Sequence, residues 1–225
     1  MMRILAFLGG MLLVLLGSRL LRAQEPPAHG HRDGHGNPQD LDAYIARLMD
    51  PARDEWQKPD QLVRALQLKE GQVACDVGAG PGYFALRLAR TVGSAGLVYA
   101  VDVEPRILDA LRQNVSKAGA QNVVPVLAHA DDPLLPKGAC DVILVVNTYH
   151  HFPDRVAYLR RLARSLRAGG RLVNVDFTKA APIGPPAEER VSREEFLRDA
   201  GSAGLKMAAE HTFLPYQYAV ELRAR

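Results

Sequence analysis

Asp76 and the glycines that follow it are the residues of this chain best suited to hold a nucleotide-like ligand. The run Val73–Val77 is apolar except for Asp76, and it leads into the turn Gly78-Ala79-Gly80-Pro81-Gly82, called here the glycine turn. Glycine permits a positive φ and a close approach of backbone to a ligand. The open N–H groups of a following helix attract anionic groups. The segment therefore predicts a strand, a tight turn and a helix that bind such a ligand.

Carboxylates also follow the next two apolar runs. Asp102 and Glu104 end the run that begins at Leu97, and Asp131 and Asp132 follow the run that begins at Val123. A carboxylate at the end of a strand can accept hydrogen bonds from both hydroxyls of a ribose. Asp102 is our first choice for this role, and Glu104 is the alternative.

The fourth apolar run ends in Asn147-Thr148-Tyr149-His150-His151. Imidazole titrates near neutral pH, so His150 or His151 could act as a general base on an acceptor molecule. A histidine that only makes structural hydrogen bonds is an equally open interpretation. We expect Tyr149 to line the acceptor side together with the two histidines.

Strands and helices alternate along the chain, which predicts a doubly wound α/β sheet. The predicted strands are Val73–Val77, Leu97–Val101, Val123–Leu127, Asp141–Val146 and Leu172–Phe177, followed by a hairpin-like pair, Lys206–Phe213 and Gln217–Leu222. Helices are predicted between them, and Ser192 to Glu195 reads as a capping box. Ligands of open α/β sheets bind beyond the carboxyl ends of the strands, where the polar residues above lie.

The segment from Asp76 to Gly82 resembles motif I of the class I S-adenosylmethionine-dependent methyltransferases. A dinucleotide-binding turn would place its third glycine one residue later. The resemblance extends over residues 62–222 and looks closest to the small-molecule branch that includes quinone-biosynthesis C-methyltransferases. It implies a Rossmann-like methyltransferase fold with seven strands, mostly parallel, and a C-terminal antiparallel hairpin. It also implies S-adenosyl-L-methionine as cofactor and a small-molecule acceptor.

The resemblance also assigns residues to the cofactor. It implies that the cofactor is held by the glycine turn, by Asp76 and Tyr83 on either side of the turn, and by Asp102 or Glu104. It also implies that Asp131 contacts the adenine and that Asn147 faces the methyl donor. The chain lacks the Asn-Pro-Pro-Tyr form at Asn147, which argues against nucleic-acid and glutamine-amide substrates. The alternative functions are a nucleoside-binding protein without catalysis and an NAD(P)-dependent oxidoreductase.

The first 40 residues predict a leader and a linker ahead of the domain. Residues 1–23 read as a signal peptide or membrane anchor, because Arg3 precedes an apolar run that is shorter than the roughly 20 residues of a membrane span. Residues 24–40 read as a disordered linker, in which His29, His31 and His35 either bind a metal or remain solvated. We expect residues 41–225 to form the methyltransferase domain that the resemblance implies, with 41–70 as helices covering the site. We expect an exported or membrane-anchored protein.

Charge and cysteine content limit the kinds of ligand and metal site that the domain can have. The 28 basic residues exceed the 25 acidic ones by the three arginines of residues 1–23, so bulk charge gives the domain no attraction to nucleic acid. Cys75 and Cys140, the 2 cysteines of the chain, lie in apolar runs and are expected to be small buried side chains; a disulfide between them stays open. No zinc-ligand spacing is present, and we assign no metal ligand within the domain.

Overall fold

The computed structural model describes residues 40–224. The leader, the linker up to residue 39 and the three linker histidines lie outside the described residues, so the expectations about them stay predictions. Within residues 40–224, no helix combines the length and the apolar character needed to cross a membrane.

The described residues form one mixed sheet whose strands are joined mostly in parallel. The strands are β1 (Val73–Val77), β2 (Leu97–Asp102), β3 (Val123–Leu127), β4 (Cys140–Val146), β5 (Leu166–Phe177), β6 (Leu205–His211) and β7 (Gln217–Ala224). The 7-stranded sheet has the order β3-β2-β1-β4-β5-β7-β6. Only β7 runs antiparallel to its neighbours, β5 and β6. The predicted doubly wound sheet with a C-terminal antiparallel pair is confirmed.

Helices cover both faces of this sheet. They are α1 (Leu41–Leu48), α2 (Arg53–Gln57), α3 (Pro59–Ala65), α4 (Ala85–Val92), α5 (Pro105–Lys117), α6 (Arg155–Ser165) and α7 (Arg193–Ser202). The apolar faces of α3, α4 and α5 pack on one side of the sheet, and those of α6 and α7 pack on the other. The predicted capping box is present, with the Ser192 side chain accepting from the Glu195 N–H. Helix α2 was not predicted from sequence.

The chain reverses its winding direction between β1 and β4. From β1 the sheet grows through β2 to β3 on one side, and from β4 it grows through β5 on the other. The loops after β1 and β4 therefore leave the sheet in opposite directions and open a crevice at the carboxyl ends of the two strands. The glycine turn follows β1, and a 3-10 turn at Tyr149–His151 follows β4.

Two local features differ from the sequence expectations. Strand β5 begins at Leu166 rather than Leu172, because Leu166 pairs with Cys140 before the register shifts and continues at Val142. Cys75 and Cys140 are fully buried, as expected, yet they are joined in a disulfide with their Cα atoms 6.1 Å apart. The bond links the two central strands β1 and β4.

Candidate functional site

The glycine turn is held in a conformation that side chains would obstruct. Gly78, Gly80 and Gly82 have φ values of 75°, 56° and 103°. A Cβ on Gly78 would lie 2.1 Å from Thr148 Oγ1, and a Cβ on Gly82 would lie 2.7 Å from Leu111 Cδ1. Both distances are far inside van der Waals contact, so the turn fits between the β4 loop and α5 with glycine at positions 78 and 82.

Asp76 places a buried carboxylate beneath this turn. Its residue surface is 2% exposed, and its Oδ2 has no hydrogen-bond partner among the described residues. Burial, followed by the negative charge of Asp102, raises the pKa of Asp76 to about 7, although the Ala85 N–H and the charge of Arg53 oppose the rise. An orphaned buried acceptor is costly. A positively charged ligand group, such as the ammonium group of an amino acid, fits this oxygen.

Asp102 ends β2 with both carboxylate oxygens fixed by backbone groups. Oδ2 accepts a hydrogen bond from the Gly80 N–H at 2.9 Å, and Oδ1 accepts one from the Glu104 N–H at 3.1 Å. Burial raises the pKa of Asp102, and these backbone hydrogen bonds counteract the rise. Each carboxylate oxygen retains acceptor capacity. The group can therefore still accept the two hydroxyls of a ribose, as the sequence predicted.

The other predicted carboxylates have local partners. Glu104 caps α5 by accepting from the Arg106 N–H at 3.2 Å. Asp131 is exposed, and its carboxylate lies 3.7 Å from the Arg161 guanidinium. Asp132 accepts from Arg161 at 2.7 Å. These contacts favour Asp102 over Glu104 for the ribose, and the adenine role of Asp131 stays a prediction.

Leu48 of α1 lies next to Gly80 of the glycine turn, and residues of α2 engage Tyr83, which directly follows the turn. The Tyr83 hydroxyl donates to Asp54 of α2, and its ring lies between two guanidinium groups, at 4.1 Å from Arg53 and 4.4 Å from Arg87. Burial and the Asp54 contact raise the pKa of Tyr83. Its hydroxyl is therefore a neutral donor already committed to protein, and its ring contacts the guanidinium groups of Arg53 and Arg87. Tyr83 thus orders the charged side chains beside the glycine turn and offers a ligand no free polar group.

His150 forms a buried pair with Asp176 at the ends of β4 and β5. The His150 Nδ1 lies 3.0 Å from Asp176 Oδ1 and 2.9 Å from Oδ2. The two side chains are 3% and 0% exposed. A carboxylate beside Nδ1 fixes the proton on that nitrogen and leaves Nε2 as the acceptor. The arrangement is that of a general base oriented by an acid.

Tyr149 does not join His150, contrary to the expectation that it lines the acceptor side. Its side chain is fully buried, its hydroxyl donates to Asp199 Oδ2 at 2.7 Å, and its ring packs edge-on against Phe196 of α7. Adjacent residues of a 3-10 turn point in different directions, so Tyr149 enters the core while His150 faces the strand ends. His151 is exposed, with its ring centroid 4.1 Å from that of His150.

Asn147 belongs to a closed set of three side-chain amides, called here the amide ring. The Gln57 Nε2 donates to Gln217 Oε1 at 2.6 Å, the Gln217 amide donates to Asn147 Oδ1, and Asn147 Nδ2 donates to Gln57 Oε1 at 3.3 Å. Asn147 also has a positive φ of 52°. The ring joins α2, the end of β4 and the start of β7 beside the crevice.

The sequence analysis missed Asp176, Gln57, Gln217 and Arg53. Asp176 carried a readable signal, since it lies near the carboxyl end of a mostly apolar predicted strand, the same edge as the other polar residues. Gln57 and Arg53 lie on a five-residue helix that has no periodic pattern to read. Gln217 was assigned only to a hairpin strand, and nothing local indicates that it faces Asn147.

The chain is similar in sequence to known methyltransferases. A family profile described as a methyltransferase domain matches residues 74–170. The 27-O-demethylrifamycin SV methyltransferase of Amycolatopsis mediterranei is 32% identical over 138 residues, which are 60% of this chain and 50% of that protein. The demethylmenaquinone methyltransferase of Anoxybacillus flavithermus is 26% identical, over 57% of this chain and 54% of that protein. The chain thus spans about half the length of these curated relatives.

Solved structures agree with this similarity. A methyltransferase from Aquifex aeolicus, described as SAM-dependent, superposes with a TM-score of 0.76 at 29% identity, covering 80% of this chain and 96% of that one. The [4+2]-cyclase SpnF superposes with a TM-score of 0.62 at 16% identity, covering 73% of this chain and 81% of that one, and shows the fold alone. These similarities confirm the predicted resemblance to S-adenosylmethionine-dependent methyltransferases, and with it S-adenosylmethionine as the cofactor that this resemblance implies.

Proposed function

We propose that this chain, which belongs to the class I S-adenosylmethionine-dependent methyltransferases, transfers a methyl group to a small-molecule acceptor that loses a proton in the reaction. The observation that carries this proposal is the buried His150–Asp176 pair at the same strand edge as Asp76 and Asp102. A nucleoside-binding protein without catalysis has no need of an oriented base there.

The protein residues have separate tasks in this proposal. S-adenosylmethionine, when bound, supplies a methyl group attached to a positively charged sulfur. Asp76 and Asp102 hold the amino-acid and ribose parts of the cofactor against the glycine turn. His150 Nε2 takes the acceptor proton, and Asp176 stabilises the resulting imidazolium. Helices α1 and α2 cover the turn and exclude water, so that positioning contributes much of the acceleration.

Incubation with donor and a metabolite extract tests the proposal. Purified full-length chain is mixed with methyl-labelled S-adenosylmethionine, and labelled products are separated and identified by mass spectrometry. Transfer to a discrete small molecule is expected, with His150→Ala as the inactive comparison. Calorimetry supplies the second arm: tight binding of NAD without binding of S-adenosylhomocysteine would favour the oxidoreductase instead. Tight S-adenosylhomocysteine binding with no transfer to any acceptor would favour the non-catalytic binding protein.

The proposed acceptor class is a small molecule with an acidic O–H or C–H group. His150 as a base is useful only if the acceptor must lose its proton. The names of the relatives include a rifamycin methyltransferase and a quinone-pathway methyltransferase, and these differ in acceptor. The quinone-like branch therefore remains one option within this class, to be decided by the labelled product.

We further propose that the protein is exported or membrane-anchored. The leader-like composition of residues 1–23 supports this location. The buried disulfide between Cys75 and Cys140 supports it independently, because such bonds persist mainly in oxidising compartments. Cells that express the full-length chain with a C-terminal tag would be fractionated, and the thiols alkylated before and after reduction. A soluble cytoplasmic product with free thiols and an intact N-terminus would contradict the proposal, whereas a mature N-terminus near Gln24 would support cleavage.

A further inference from the structure

Arg53 is a half-buried cation beside the glycine turn that has only neutral hydrogen-bond acceptors. Its guanidinium donates to the carbonyl of Leu48 and to Gln57 Oε1 at 3.2 Å. It lies 4.1 Å above the ring centroid of Tyr83. These contacts use two of the five N–H groups that a guanidinium offers and fix the plane of the group.

The neighbouring arginines are satisfied differently. Arg87 forms an ion pair with Asp54 at 3.1 Å, and Arg106 forms one with Asp42 at 2.6 Å. Among residues 40–224, Arg53 forms no ion pair, and the neighbouring carboxylate of Asp54 contacts Arg87 and Tyr83 instead. Burial lowers the pKa of Arg53 below its ordinary value. A desolvated guanidinium without an anion is unfavourable unless an anion joins it.

Arg53 lies close to the residues that are assigned to the cofactor. Its charge reaches the buried Asp76 carboxyl strongly enough to oppose the rise of the Asp76 pKa, and its ring partner Tyr83 directly follows the glycine turn. The corner thus contains an orphaned carboxylate oxygen on Asp76 and an unpaired guanidinium on Arg53. An amino acid carries the complementary pair, an ammonium and a carboxylate.

We infer that Arg53 binds the carboxylate of the amino-acid part of the methyl donor, while Asp76 serves its ammonium group. This inference rests on the proposed function, because it assigns a subsite within the same donor site. Arg53 is the residue of choice for such a contact, since its planar fork matches a carboxylate in two parallel hydrogen bonds. The Tyr83 ring and the Leu48 carbonyl hold the fork in place before the ligand arrives.

Decarboxylated S-adenosylmethionine tests the inference, because it keeps the ammonium group and lacks only the carboxylate. Calorimetry on the full-length chain measures the binding of both ligands to the wild type, to Arg53→Gln and to a matched control, Arg47→Gln, which changes an exposed arginine of α1. A hydrogen bond between charged groups corresponds to a factor of about 10–100 in affinity. We expect Arg53→Gln to lose about that factor for S-adenosylmethionine and to bind the decarboxylated ligand as the wild type does.

Measuring both ligands on the wild type and on Arg53→Gln distinguishes the possible outcomes. Wild-type protein should prefer S-adenosylmethionine over the decarboxylated ligand, and Arg53→Gln should abolish that preference. Equal losses for both ligands, or no loss for either, would overturn the inference while leaving the proposed function intact. An unchanged donor affinity with a raised KM for the acceptor would overturn it in favour of an anionic acceptor. A wild-type chain that binds neither ligand would overturn the proposed function and this inference with it.

Discussion

The donor half and the acceptor half of the crevice are assembled in different ways. The donor half consists of the glycine turn, Asp76 and Asp102, which lie in two adjacent parallel strands and the loops directly after them. The acceptor half combines His150, Asp176 and the amide ring, whose members come from α2, the end of β4 and the start of β7. The first half is local in sequence, and the second is created by tertiary structure. This difference predicts that substitutions of Asp102 affect donor binding and substitutions of His150 or Asp176 affect proton removal, each with little effect on the other step.

The largest expected effect is confined to the acceptor half. His150→Ala should reduce kcat about 10²- to 10⁴-fold, the range for loss of a general base, while the affinity for S-adenosylhomocysteine changes little. Asp176→Asn should lower kcat as well, because the imidazolium loses its charged partner. Steady-state kinetics and calorimetry on the same preparations give both numbers. The matched variant is His151→Ala, and a larger loss of kcat there than in His150→Ala would contradict the assignment of the base.

The corresponding test in the donor half is Asp102→Ala. The substitution removes the acceptor for the ribose hydroxyls and the partner of the Gly80 N–H. It should weaken S-adenosylhomocysteine binding by about 1.5–3 kcal/mol, the range for hydrogen bonds to a charged group. Asp109→Ala, which removes an exposed carboxylate of α5, serves as the control. Unchanged affinity in the Asp102 variant would show that another residue meets the ribose.

The donor half could be predicted from the sequence because the residues that form it lie in short, recognisable segments. The acid, the three glycines and Asp102 lie at the ends of strands whose apolar runs are recognisable, and each strand end places its residues at one edge. The acceptor half could not be read in this way. His150 was found only as one of two histidines, and its partner Asp176 depends on β4 and β5 being neighbours. The contact between Gln57 and Gln217 spans nearly the whole domain.

Gln217→Ala tests whether the amide ring holds the acceptor half together. The variant leaves the buried Gln57 amide N–H and the Asn147 oxygen without their partners, which should lower the free energy of unfolding by about 1–3 kcal/mol. Denaturant titration measures the change, and Gln113→Ala on the exposed face of α5 is the matched control. Equal stability of the two variants would mean that the ring adds nothing to the stability of the fold.

A further test of the donor half concerns the pH dependence of donor binding. A ligand ammonium favours ionised Asp76, whose pKa is raised to about 7 in the free chain. Affinity for S-adenosylhomocysteine should therefore rise with pH, by up to about tenfold per unit between roughly pH 5 and 7, and then level off. Binding below pH 7 should release a proton, which calorimetry detects in buffers of different ionisation enthalpy. Asp76→Asn should bind more weakly and show a flat profile over this range; a wild-type profile that is equally flat would contradict the role of Asp76.

The same pKa has the opposite consequence for the free chain. Because folding raises the pKa of Asp76, the folded chain keeps a proton that the unfolded chain has released between about pH 4 and 7. The contribution of this group to the free energy of unfolding is complete below about pH 4 and is lost as the pH rises to about 7. The loss is on the order of 4 kcal/mol. Saturating S-adenosylhomocysteine should remove most of this slope, because it stabilises the ionised form.

The insertion of β7 between β5 and β6 affects how the domain is completed during synthesis. Strand β6 leaves the ribosome first, yet it has no partner until β7 follows, because the sheet order places β7 between it and β5. A nascent chain that has not yet exposed Gln217 can close the donor half, but it keeps the edge of β5 unpaired and its acceptor half unfinished. Unpaired strand edges are templates for aggregation. Chains that stop before Gln217, and so lack β7, would therefore be aggregation-prone even though the residues of their donor half are all present.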